Sequence, residues 1–244
     1  MERKQFKLLG FDIDLFNSKE AIDYVNNLID GVNSSHIVTL NPEMIEYASK
    51  HADFAKIIKE AELVLPDGVG VTLGLKINGI NAERITGIGF AQMLIEIASK
   101  NCIPLALVGA QQEVVQKASE NLKKKFPDLN IVYSHDGYFS DNNMIFEELK
   151  QVCPKILLVA LGSPKQEEFI YELKSILPST LMIGIGGSFD VWAGKVQRAP
   201  QIWQNFGLEW LYRTIKQPQR FKRIFPTLPV FMCKIIIERF SKKG

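Results

Sequence analysis

The chain alternates short apolar runs with longer stretches in which apolar residues recur every three or four positions. Runs at residues 36–40 (HIVTL), 63–65 (LVL), 103–108 (IPLALV), 130–133 (NIVY), 156–160 (ILLVA) and 181–185 (LMIGI) are rich in β-branched and aliphatic side chains, the composition of strands. Several are apolar at nearly every position, the pattern of parallel strands covered on both faces rather than of half-solvated sheets. Between them, residues 90–100, 113–126, 142–152 and 165–177 have helical spacing. The alternation predicts an α/β fold, a Rossmann-like doubly wound and mostly parallel sheet built from βαβ units. Near the start, residues 7–9 and 11–15 predict a small hairpin ahead of a helix at 19–29.

After Gly194 the pattern changes. From Ala199 the chain reads as helical, with aromatic and basic residues interleaved and breaks expected at Pro218, Pro226 and Pro229. The chain divides accordingly into an α/β domain at 1–195 and a C-terminal helical appendage at 196–244.

Composition narrows the class. Of 244 residues, 46% are hydrophobic and 23% charged, which excludes a membrane bundle and a disordered chain. Cys102, Cys153 and Cys233 are odd in number and lack C-x-x-C spacing, so neither a disulfide framework nor a zinc site is expected and a reducing, cytoplasmic setting fits. The start, MERKQFKLLGFDID, lacks the apolar core of a signal peptide. The stretch 225–237 holds two prolines and Lys234, short of the ~20 apolar residues of a membrane span.

Charge is distributed unevenly. Residues 195–244 carry eleven Lys/Arg against Glu209 and Glu238, a net of +9; of the chain's 29 basic and 27 acidic residues, 18 and 25 remain before them, a net of −7. An acidic body with a basic end points to a polyanionic partner: anionic lipid, pyrophosphate or nucleic acid. A solvated helical face would carry the same charge.

Open parallel sheets bind ligands at the carboxyl ends of their strands, so the segments after each run are where chemistry is sought. Pro66-Asp67-Gly68 has the residues of a turn, and the same turn can mount a carboxylate that accepts a proton from an attacking hydroxyl. Asn41 before Pro42 reads as a helix N-cap; alternatively Thr39 and Asn41 project polar groups to sugar hydroxyls. Gly162-Ser163-Pro164-Lys165-Gln166 has capping-box spacing with proline at the first helical position, and a helix start after glycine is also an anion site. Gly186-Gly187-Ser188 permits close backbone approach to a ligand. Asp12-Ile13-Asp14 spells D-x-D, a metal-binding pattern in many glycosyltransferases. Its alternating strand context predicts instead that both carboxylates share one solvated face. His36, His51 and His135 are scattered, and no metal site is expected. No P-loop is present, and Gly87-Ile88-Gly89 has Gln92 where a dinucleotide fingerprint needs its third glycine.

Taken together, several motifs resemble the WecG/TagA/CpsF glycosyltransferases. They are Pro66-Asp67-Gly68 with Gly70, Glu83-Arg84-Ile85-Thr86-Gly87, Asp136-Gly137-Tyr138-Phe139, Leu161 through Glu167, Gly186 through Asp190 running on to Val196, Arg198-Ala199-Pro200, and Gly207 through Arg213. The resemblance implies inverting transfer from a UDP-sugar donor to undecaprenyl-diphosphate-linked N-acetylglucosamine, without a cofactor, by a peripheral protein on the cytoplasmic face of the bacterial cell membrane. In one branch the donor is UDP-N-acetylmannosamine and the product feeds wall teichoic acid; other members use UDP-N-acetylmannosaminuronic acid or UDP-glucose. Carried over by motif, Asp67 is the base. Thr39, Asn41, Arg84, Gly109, Gly162, Gln166, Gly186, Gly187 and Asp190 would surround the substrates, and Arg213, Arg220 and Arg223 would close over them. The appendage would dock on the anionic membrane surface and complete the site. Two departures bear on the donor: Gly89 stands where the family has Asp, and Gly109-Ala110-Gln111-Gln112 lacks the family's Lys-Pro. The competing readings are a dinucleotide-dependent oxidoreductase, which the broken fingerprint disfavours, and a nucleic-acid-binding protein using the basic end. Nucleic acid is not the expected partner, and a homo-oligomer is left open.

Overall fold

The structure, a computed structural model, describes residues 3–216 and 221–241. Strands β1 (Gln5–Leu8) and β2 (Phe11–Asp14) form the antiparallel hairpin expected at the start, followed by α1 (Ser18–Ile29). Then come β3 (Ser35–Leu40), α2 (Pro42–Ala48), α3 (Ala52–Lys59), β4 (Leu63–Pro66), α4 (Val69–Ile77) and α5 (Gly87–Lys100). The chain continues through β5 (Leu105–Gly109), α6 (Gln112–Lys125), β6 (Ile131–His135), α7 (Asn142–Val152), β7 (Ile156–Ala160), α8 (Lys165–Lys174), β8 (Leu181–Gly184) and α9 (Ser188–Trp192). The end is helical: α10 (Gln201–Asn205), α11 (Glu209–Lys216) and α12 (Phe221–Ser241).

Six strands form one sheet in the order β4-β3-β8-β7-β5-β6, with every pair parallel. The continuous apolar runs are explained by two covered faces. Ile37, in register with Leu63 and Ile183, packs with them against Val25 of α1, Leu94 of α5 and Val115 of α6. The alternate positions point the other way. Val38, Leu40 and Val64 meet the hairpin, α2, α3 and α4, while Leu157, Val159 and Met182 meet α7 and α8. Each such side chain removed from water contributes about 1.5–3 kcal/mol, which is why burial rather than alternation dominates the sequence of these strands.

The sheet has a topological switch. From β3 the chain moves outward to β4, crosses to β5 and β6, and returns inward through β7 to β8, which lies against β3 on its other side. The connections therefore diverge at the β3–β8 boundary and open a crevice at the carboxyl ends of the strands.

Two local expectations are overturned. Asp12 is exposed beside Lys7, but Asp14 is fully buried. The hairpin lies against edge strand β4, and Asp14 leaves the solvated face to accept the Val64 N–H at 2.8 Å, with Arg3 chelating both carboxylate oxygens at 2.5 and 2.9 Å. An otherwise unpaired sheet-edge donor recruits the carboxylate. The other concerns the breaks at Pro226 and Pro229, since α12 runs through both positions. Its later turns are held from outside: Phe231 and Ile235 are fully buried in the same cluster as Leu40 and Leu75. Lys234 pairs with Glu46 at 2.7 Å, and Glu238 accepts the Leu9 N–H at 3.1 and 3.2 Å. Of the remaining expected break, Pro218 lies outside the described residues.

Candidate active site

A cavity of about 410 Å³ opens at the switch, lined by the ends of four strands. Thr39 and Asn41 come from β3 and its exit, Asp67 and Gly68 from the exit of β4, Gly162 and Ser163 from that of β7, and Gly184 to Ser188 from β8. Arg84, Thr86 and Gly87 close one side; Gly207, Glu209, Trp210, Thr227 and Leu228, from the helical end, close another.

Asn41 takes the capping role read from the sequence and also stands at the cavity wall. Its side chain caps α2 by accepting the Met44 N–H at 3.1 Å, with Pro42 in the first helical turn, and it lines the cavity.

Asp67 is held by backbone donors: Oδ1 accepts the Gly68 N–H at 2.6 Å, and Oδ2 accepts the Gly87 N–H, at the start of α5, at 3.1 Å. Thr86, the N-cap of α5, accepts the Gly89 N–H and so fixes that turn. Burial raises the Asp67 pKa above the ordinary carboxylate value; the two N–H groups and Arg84 oppose the rise, and Glu209 reinforces it. A carboxylate that is oriented yet more basic than usual is suited to proton acceptance near neutral pH. Arg84 also donates from Nη2 to the Gln204 carbonyl at 3.0 Å, tying the site to α10.

Gln166 departs from its expected capping role. The N-cap of α8 is Pro164, with no side-chain cap. Instead the Gln166 side chain crosses to β8, where Oε1 accepts the Gly186 N–H at 3.0 Å, while Nε2 donates to Glu167 Oε1 at 2.7 Å. Gly184 makes room for this: a Cβ there would lie 2.4 Å from Gln166 Nε2. Strand β8 thus ends in glycine because the neighbouring amide occupies the space.

Most expected residues converge on the cavity: Thr39, Asn41, Asp67, Arg84, Gly162, Gln166, Gly186 and Gly187 line it, whereas Gly109 and Asp190 do not. Gly109 has a packing reason of its own. Its φ is +129°, and a Cβ would lie 2.4 Å from the Ala160 carbonyl oxygen of neighbouring β7. Arg220 lies outside the described residues, and Arg213 and Arg223 are described only as backbone positions of α11 and α12. Glu43 lines the cavity with no signal in the sequence, and Thr86, Ser188, Glu209 and Trp210 line it from motifs singled out above, in which these residues are assigned no individual site role. Glu209 carried a signal, being one of two acids in a strongly basic segment; it is buried, 3.8 Å from Arg198 Nε. Among the described residues no group of three or more His, Cys, Asp or Glu side chains is placed to hold a metal ion.

Comparison with known proteins identifies the family. The chain is 33% identical over 229 residues to the N-acetylglucosaminyldiphosphoundecaprenol N-acetyl-beta-D-mannosaminyltransferase of Bacillus subtilis (strain 168), covering 93% of this chain and 89% of the relative. It is 32% identical to the proteins of the same name from Staphylococcus aureus (strain MW2) and Bacillus spizizenii (strain ATCC 23059 / NRRL B-14472 / W23), covering 93% of this chain and 91% of each. The model of the Glycosyl transferase WecG/TagA/CpsF family matches residues 6–244, and the chain belongs to that family.

Proposed function

We propose that this cavity transfers N-acetylmannosamine from its UDP-linked form to undecaprenyl-diphosphate-linked N-acetylglucosamine, with inversion at the anomeric carbon. Asp67 accepts the proton of the acceptor's hydroxyl, the oxygen attacks the anomeric carbon opposite UDP, and the leaving diphosphate gains negative charge. Arg84, which faces the same cavity, supplies positive charge, and preorganised donors of this kind are often the largest catalytic term. The names of the relatives support the choice of donor and acceptor. The observation that carries the reading is Asp67 itself, oriented by two backbone N–H groups at the switch point of the sheet.

The same reading places the protein at a membrane surface as a peripheral enzyme. No helix among the described residues is long and apolar enough to cross a membrane. Ile202, Phe206, Leu208 and Ile215 of the helical end are nevertheless exposed, within residues 195–244 of net charge +9. Exposed apolar side chains beside basic ones suit an anionic interface. Gly207, Glu209 and Trp210 line the cavity from the same segment, which supports a role for residues 196–244 in both docking and completing the site.

A turnover screen of UDP-sugars against a lipid-diphosphate N-acetylglucosamine acceptor tests the proposal. UDP-N-acetylmannosamine is expected to be the best donor. Preference for UDP-glucose or UDP-N-acetylmannosaminuronic acid would reassign the donor, and no transfer from any of them would overturn the reading.

A further inference from the structure

Gln166 and Glu167 are adjacent in sequence and both buried, yet only Gln166 lines the cavity. The orientation of the Gln166 amide is fixed by chemistry. The Gly186 N–H can only donate, so it requires the amide oxygen; that turns the amide nitrogen to Glu167 Oε1, which accepts either as a carboxylate oxygen or as the carbonyl oxygen of a carboxyl protonated on Oε2. Turning the amide over would set donor against donor at 3.0 Å and acceptor against acceptor at 2.7 Å. The slot left by Gly184 admits the amide at this position. One Nε2 hydrogen is used by Glu167, which leaves the other for a ligand. Among the described residues Glu167 Oε2 has no partner of good hydrogen-bond geometry, and the carboxyl group is held in a dry site with Gln166 as its closest hydrogen-bonded neighbour and the Ser163 hydroxyl beside it. A buried acid under-satisfied in this way lowers stability, and a role through the adjacent side chain explains its presence.

We propose that Glu167 is a positioning residue that locks the Gln166 amide, so that its second Nε2 hydrogen is presented to an oxygen of the substrate in the cavity. The consequence for transfer rests on the reading of the cavity as the transfer site; the locking itself does not. The test therefore has two arms. In the first, hydrogen exchange of the Gln166 side-chain amide is followed by NMR, with the resonance assigned by its loss in Gln166→Ala. Glu167→Met keeps the volume and removes the acceptor, whereas Glu167→Gln keeps an oxygen acceptor. Exchange is expected to speed up at least tenfold in Glu167→Met and to be restored towards wild type in Glu167→Gln. Unchanged exchange in a folded Glu167→Met protein would overturn the locking.

In the second arm, transfer is assayed in a double-mutant cycle. Glu167→Met is expected to lower kcat/KM about five- to tenfold, the effect of one hydrogen bond. Glu167→Gln should recover most of the loss. In the Gln166→Ala background Glu167→Met should cost nothing further, because the residue acts through Gln166. Additive losses, or equal losses in Glu167→Met and Glu167→Gln, would overturn the positioning role. Transfer that survives Asp67→Asn would instead count against the cavity reading and leave the NMR arm to decide the locking.

Discussion

Asp67 and Gly87, twenty positions apart in sequence, meet where β4 and α5 approach the cavity, and Asp67 Oδ2 accepts the Gly87 N–H at 3.1 Å. With the Gly68 N–H on the other oxygen, each side of the carboxylate is addressed by a donor. The turn at Pro66-Asp67-Gly68 is therefore also the mount of the proposed base.

Replacing Asp67 by Asn should lower turnover by ~10²–10⁴-fold, the contribution of a general base. The asparagine has one oxygen for two N–H donors, so its NH₂ must face one of them and the side chain is also less well held. UDP affinity, measured by calorimetry, should change little, because the proton acceptor acts on the other substrate. Turnover close to wild type would reduce Asp67 to a turn residue.

Two buried groups tilt stability with pH in opposite directions. Burial, with a smaller effect of Lys174, lowers the His36 pKa from 6.5 to about 3, and neither ring nitrogen has a hydrogen-bond partner among the described residues. Between those values the unfolded chain binds the extra proton, so this contribution is fully present above about 6.5 and is lost as pH falls. Burial raises the Glu167 pKa from 4.5 to about 7, against the hydrogen bonds of Gln166 and Ser163. Here the folded chain binds the extra proton, so that contribution is full below 4.5 and is lost as pH rises through about 7. Each amounts to about a tenfold change in the folding equilibrium per pH unit within its window. Urea unfolding at pH 5, 6 and 7 should show Glu167→Gln gaining stability with pH relative to wild type, and His36→Leu losing it. Profiles parallel to wild type would refute both assignments.

Arg3→Met should destabilise the protein by about 2–3 kcal/mol, less than the loss for a fully buried pair, because the Arg3 side chain is 32% exposed while Asp14 is fully buried. The variant leaves a buried carboxylate whose remaining hydrogen-bond partner among the described residues is the Val64 N–H, at 2.8 Å. The double variant Arg3→Met/Asp14→Asn should recover part of the loss. A chemical-denaturation midpoint equal to wild type for the single variant would show that the pair contributes nothing.

The sheet and most of its helices are legible because their causes are local. Residues 156–160 and 142–152 carry their period in their own side chains, and β7 and α7 occupy those bounds. The strand-end motifs likewise pointed to the cavity, because a parallel sheet brings its carboxyl ends together. What the sequence conceals depends on distant partners. Asp14 leaves its expected face for an N–H fifty positions away, Gln166 abandons a local cap for Gly186, and α12 passes two prolines because Phe231 and Ile235 fill a core built from the first 75 residues. Gly109 shows the reverse: the family resemblance implied a substrate contact, whereas its backbone and the Ala160 carbonyl account for the glycine.

The helical end combines two kinds of apolar residue, and point variants separate them better than truncation does. Phe231 is fully buried, so Phe231→Ala should cost about 3–5 kcal/mol, the usual loss for a core phenylalanine. Deleting α12 would uncover the same cluster and would report on folding before docking. Phe206 and Ile215 are 73% and 61% exposed, so Phe206→Ser/Ile215→Ser should leave the thermal unfolding midpoint nearly unchanged. If the segment docks on membranes, this double variant should co-sediment more weakly with anionic phospholipid vesicles. Wild-type binding should itself weaken as salt rises, because each basic residue near such a surface contributes about 1 kcal/mol of screened attraction. Turnover with a water-soluble acceptor analogue should survive in the double variant, while turnover with acceptor embedded in vesicles should fall. Equal vesicle binding by wild type and variant would remove these residues from the docking surface, and a matching fall with the soluble acceptor would place them in the site instead.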